Sequence, residues 1–69
     1  MTQVERIEKY IADFGGITRY EALLDLGILN LPGRIFDMRR GGAKITSRMI
    51  EVKNRYGETC HVKRYEVAQ

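Results

Sequence analysis

One cysteine, Cys60, and one histidine, His61, are all that the 69 residues contain of the two side chains most used for metal and redox chemistry. A lone cysteine forms no internal disulfide, and one Cys with one His falls short of the four ligands of a structural zinc site. The two also fail as a nucleophile and its base, because adjacent residues on a strand point to opposite faces. A phosphate-binding glycine loop and a metal-spaced ligand cluster are both missing. Catalytic residues, a metal and a cofactor are therefore not expected, and His61 reads as a surface strand residue. Apolar runs stop at three or four residues, which leaves no membrane span. The N-terminus lacks the basic region and apolar stretch of a signal peptide, so a reducing cytoplasm is the expected setting.

What is present is ordinary globular composition, 43% hydrophobic and 30% charged, rather than the signature of disorder. A chain of this length is expected to form one domain over residues 1–69 with a thin core. Its formal charge of +3 is unevenly spread. Residues 1–29 hold three bases against five acids, giving −2, whereas residues 30–69 hold nine bases against four acids, giving +5. One half reads as scaffold and the other as a surface for a polyanion.

The apolar spacing Val4, Ile7, Ile11, Phe14 predicts a first helix over about residues 2–14, stopped by Gly15-Gly16. Thr18-x-x-Glu21 is a capping box, so a second helix begins near Arg19, with Ala22, Leu23 and Leu26 as its buried face and Gly27 as its stop. Asn30 is an N-cap and Pro32 fits the first turn of a third helix running to about Arg40, with Leu31, Ile35 and Met38 inward and Gly41-Gly42 at its end. Beyond that point, alternating segments rich in Ile, Val, Thr and Tyr predict strands over about 44–53 and 59–67. Between them Asn54-Arg55-Tyr56-Gly57-Glu58 is turn chemistry, with Asn and Gly expected at positive φ.

The hairpin changes phase. Ile45 lies on one face and Ile50 and Val52 on the other, while Cys60 and Val62 are out of step with Tyr65 and Val67. A loop over 54–58 sets Ile50 opposite Val62 and Ile45 opposite Val67, so both strands shift at the same level. Two readings stand: a β-bulge with strong twist, or an outer apolar face that forms a contact surface, for example in a homodimer.

Three helices with a tight link between the second and third, then a hairpin, give an α+β winged helix-turn-helix order. The runs Thr18-Arg19-Tyr20-Glu21-Ala22-Leu23, Leu26-Gly27-Ile28, Arg34-Ile35-x-Asp37-Met38-Arg39-Arg40-Gly41, Val52-Lys53-Asn54-Arg55-Tyr56-Gly57 and Arg64-Tyr65 resemble the small helix-turn-helix proteins of bacteriophages and prophages. The resemblance spans almost the whole chain. It implies a winged-helix fold and DNA binding, in a family whose roles are diverse.

The residues point the same way. With Leu31, Ile35 and Met38 inward, the far side of the third helix presents Gly33, Phe36, Asp37 and Arg40, flanked by Arg34 and Arg39. Such a helix fits the major groove, where Asn30 can read adenine and Arg40 guanine, and Gly33 lets the backbone approach. Phe36 faces a thymine methyl, faces a partner protein, or belongs to the core of a rotated helix. Arg34 is a phosphate contact or the i,i+3 partner of Asp37. In the wing, Lys53, Arg55, Lys63 and Arg64 beside Tyr56 supply cations for a backbone or a minor groove. Arg19 and Thr18 sit at a helix start that favours a phosphate, although Thr18 already has its capping role. The expected function is double-stranded DNA binding, as a transcription regulator or as an excisionase-like architectural factor. The alternative is a protein-binding winged helix that recruits or inhibits a host protein.

Overall fold

A computed structural model describes residues 1–68 of the chain. The elements run α1 (Gln3–Phe14), β1 (Ile17–Thr18), α2 (Arg19–Leu26), α3 (Leu31–Arg40), β2 (Ile45–Lys53) and β3 (Thr59–Val67). Three helices and a three-stranded antiparallel sheet in the order β1-β3-β2 make an α+β winged-helix architecture. The two-stranded hairpin expected from sequence is thus extended by β1, which pairs Ile17 with Tyr65 and Thr18 with Arg64. A two-residue strand has no periodicity to read, and its pairing is fixed only by the distant β3. Among the described residues, no helix is long and apolar enough to cross a membrane.

Local chemistry sets the helix ends. Both α1 and α2 open with a capping box: Oγ1 of Thr2 accepts from the Glu5 amide and Oγ1 of Thr18 from the Glu21 amide, each glutamate accepting in return from the cap's own N–H. The Thr2 bonds hold the Glu5 carboxyl below its ordinary range. Gly15 and Gly27 close the same two helices at φ of 84° and 69°, a conformation that costs other residues energy. Gly16 has a different reason to be glycine, since a Cβ there would collide with the Arg64 guanidinium. That guanidinium donates from Nη2 to the Phe14 carbonyl at 3.0 Å and so ties β3 to the end of α1.

The core joins α1 (Ile7, Tyr10, Ile11), Ile17 of β1, Ala22, Ile28, α3 (Leu31, Ile35, Met38) and the hairpin base (Ile45, Tyr65). The α3 stripe agrees with its sequence spacing. Two expected core residues do not belong to it: Phe14 is 64% exposed and Leu23 44%. Tyr10 takes the place of Phe14 because its ring packs inward while its hydroxyl reaches α2, donating to Asp25 at 2.6 Å. This bond, then burial and the nearby Glu21 and Asp25 charges, hold the Tyr10 hydroxyl well above its ordinary pKa. Phe14 leans on the outside of that ring, with centroids 4.6 Å apart.

Strands β2 and β3 pair without interruption from Ile45↔Val67 to Lys53↔Thr59, including Ile50↔Val62. The expected register is therefore correct and the expected β-bulge is absent. The phase change is a change of what each face meets. Near the base, the face carrying Ile45 and Tyr65 covers the core. Further out the same face carries Met49, Glu51, His61 and Lys63, while Ile50, Val52, Cys60 and Val62 lie on the reverse. At the tip, Gly57 alone has positive φ, at 77°. Asn54, expected at positive φ, instead organises the turn by accepting at Oδ1 from the Tyr56 and Glu58 amides at 2.9 and 3.0 Å.

Candidate nucleic-acid interface

Helix α3 directs Leu31, Ile35 and Met38 inward and leaves Pro32, Phe36, Asp37, Arg39 and Arg40 exposed. Phe36 is 60% exposed, which removes it from the core. Its ring lies beneath the next turn, with the Arg40 guanidinium carbon 5.8 Å from the centroid, within cation–π range. The outer ridge of the helix therefore pairs an aromatic face with a cation.

The start of α3 explains two further expected contacts in local terms. Oδ1 of Asn30 accepts from the Gly33 amide at 3.2 Å, leaving the amide nitrogen of its side chain for an outside acceptor. A Cβ on Gly33 would strike this same Asn30 side chain, so the glycine makes room for the cap.

The twelve Lys and Arg side chains divide sharply by what they touch. Lys9 meets Asp13 at 3.3 Å, Arg34 meets Asp37 at 3.2 Å, and Arg48 and Arg64 reach Glu66 at 3.1 and 3.4 Å. The Arg64–Glu66 approach is an ion pair without hydrogen-bond alignment, and Nε of both Arg34 and Arg64 is buried without an acceptor among the described residues. Arg6 donates to the Leu26 carbonyl, and Lys53 to Thr59 across the hairpin. Arg39 donates from Nε and Nη2 to the Ile45 carbonyl at 3.0 and 2.8 Å, fastening the end of α3 to β2. Of the expected contacts, then, Arg34, Arg39, Lys53 and Arg64 already have internal partners.

Five cations have no ion pair or hydrogen-bonding side-chain partner among the described residues: Arg19, Arg40, Lys44, Arg55 and Lys63. They stand at the first position of α2, the last of α3, the α3–β2 link, the turn beside the 82% exposed Tyr56, and the outer half of β3. Lys44 escaped the sequence reading, and its only signal was its place just beyond Gly41-Gly42. A groove of about 680 Å³ runs between the start of α2, the α2–α3 link and the outer half of β3, lined in part by Arg19, Pro32, His61 and Lys63. The wing thus stands beside the entrance to α3.

Cys60 and His61 occupy successive positions on β3, paired with Val52 and Glu51, and so project from opposite faces. His61 lies 3.5 Å from Glu51. No group of three or more metal-binding side chains occurs among the described residues.

Comparison with known proteins agrees with this architecture. No curated protein and no solved structure gives a match. The winged helix-turn-helix domain family matches over residues 2–69. Helix order, the sheet and a match covering nearly every residue lead to one conclusion: the chain belongs to the winged helix-turn-helix domain family, a membership that points to DNA binding.

Proposed function

We propose that this protein binds double-stranded DNA, with the exposed ridge of α3 in the major groove and the hairpin along the neighbouring backbone or minor groove. The carrying observation is the set of five cations without an ion pair or side-chain hydrogen bond among the described residues, placed on α2, α3, the link and the hairpin of a winged helix-turn-helix domain. Arg40 and the free amide of Asn30 are the base-reading groups, and Phe36 offers its edge to a thymine methyl. Arg19, Lys44, Arg55 and Lys63 meet phosphates, which add affinity but no sequence information.

Action is by occupancy, without catalysis, in the compartment that holds the DNA. Occupation of a site by so small a domain favours control of transcription, with DNA bending by the wing as the nearest variant. Titration with short duplexes at increasing salt is the test. A logarithm of affinity that falls linearly with the logarithm of salt concentration, at a slope of several units, is the expected result. Absence of binding at low salt, or binding indifferent to salt, overturns the reading.

A further inference from the structure

Helix α2 is built against expectation. Of its eight residues only Ala22 is fully buried, while Tyr20, Leu23 and Leu24 are 70, 44 and 61% exposed. The surface continues into the α2–α3 link, where Leu29 is 77% exposed. Tyr20, Leu23 and Leu29 line the groove beside Pro32 and Val62, and Arg19 and Lys63 border it. No carboxylate lines this groove, and neither of the two bordering cations has an anionic partner among the described residues.

A concave cluster of exposed apolar side chains rimmed by cations has the form of an interaction site. Duplex DNA satisfies only part of it, since a phosphate backbone neutralises Arg19 and Lys63 but leaves Tyr20, Leu23 and Leu29 against water. A peptide segment with bulky apolar side chains between carboxylates satisfies both, its anchors filling the groove while its acids meet the cations. The outer hairpin face is a weaker platform, because Ile50, Cys60 and Val62 are already half-buried.

We infer that this groove docks an acidic, apolar-anchored segment of a partner protein, and that the docked segment displaces DNA because both use Arg19 and Lys63. The displacement rests on the proposed DNA binding; the docking does not.

A displayed random-peptide library, selected on the whole protein and counter-selected on Leu23→Ser/Leu29→Ser, tests the docking. Both leucines are exposed, and an unchanged melting temperature confirms that the variant folds. Enriched peptides combining Asp or Glu with Leu, Phe or Trp, at least tenfold weaker on the leucine variant and on Arg19→Ala/Lys63→Ala, are expected. No enrichment over the leucine variant, or enrichment of neutral or basic peptides, overturns the docking. The best peptide is then titrated into the protein–duplex complex. Release of duplex is expected, and a ternary complex overturns the displacement. If the wild type binds peptide but no duplex, the DNA reading fails while the docking stands.

Discussion

The N-terminal unit of α1, β1 and α2 and the C-terminal unit of α3, its link and the hairpin are charged to a similar density but use charge in opposite ways. In the first, carboxylates are structural: Glu5 and Glu21 close capping boxes, Asp25 receives the Tyr10 hydroxyl, and Asp13 holds Lys9. Arg19 is its one unpartnered Lys or Arg side chain among the described residues. In the second unit acids are few, and Asp37 and Glu66 hold Arg34, Arg48 and Arg64. Arg40, Lys44, Arg55 and Lys63 are left without an acid among the described residues. Charge asymmetry along a sequence thus becomes functional only through this residue of unmatched cations, because a surface charge already paired has less to offer a phosphate.

The comparison breaks most severely if the two units are separate folding bodies. Leu31 is fully buried in the core that both units share, so Leu31→Ala is expected to cost about 2–5 kcal/mol. Such a loss is a large part of the stability of so small a domain. Chemical denaturation followed by far-UV circular dichroism and by tyrosine fluorescence should show one coincident transition, weakened as a whole. Two separated transitions would show that the units fold independently.

Next in size is the contrast between free and paired arginines. Arg40→Ala should lower affinity for duplex DNA by about 1–3 kcal/mol with little change in melting temperature. Arg48→Ala removes a cation held by Glu66 and should leave affinity within a factor of two or so, an exposed pair contributing about 0–1 kcal/mol to stability. Equal losses from both would mean that internal pairing does not decide which cations reach DNA.

Much of this organisation was legible in the sequence where its cause is local. Thr18-x-x-Glu21, Gly27, Asn30 and Pro32 set helix ends with neighbours alone, and the loop over 54–58 fixed the register through Lys53↔Thr59. What escaped depends on distant partners. Tyr10 stands in the core where Phe14 was expected, with its hydroxyl bonded to Asp25 on the facing helix, and β1 is a strand through its pairing with Arg64 and Tyr65, which return beside it. The same holds for the interface. Arg39 and Arg40 are both expected at the interface until Arg39 is seen bonded to the Ile45 carbonyl.

A smaller effect sharpens the structural use of acids in the first unit. Tyr10→Phe keeps the ring and deletes the bond to Asp25, at an expected cost of about 1 kcal/mol because that carboxylate remains in water. Its pH dependence is more diagnostic. The hydroxyl pKa is raised above 10.0 by folding, so above that pH the folded state binds more protons than the unfolded state and stability falls. Wild type should therefore hold this contribution below about pH 10 and lose it progressively in more alkaline solution. In Tyr10→Phe that part of the alkaline decline should be missing from denaturation curves measured across the range.

The smallest expected change separates two uses of one glycine. Gly33→Ala gains roughly 1 kcal/mol of helix propensity but drives the Asn30 side chain from its cap, costing about as much, so stability should hardly move. With Asn30→Ala already present no cap is left to lose, and adding Gly33→Ala should then stabilise by about 1 kcal/mol. Duplex affinity supplies the second axis. If Gly33 serves the cap alone, Gly33→Ala leaves affinity unchanged in the Asn30→Ala background. If the bare backbone also lets α3 approach the DNA, affinity falls in both backgrounds while the stability cycle stays the same, because a Cβ that meets DNA does not enter the folding equilibrium of the free protein.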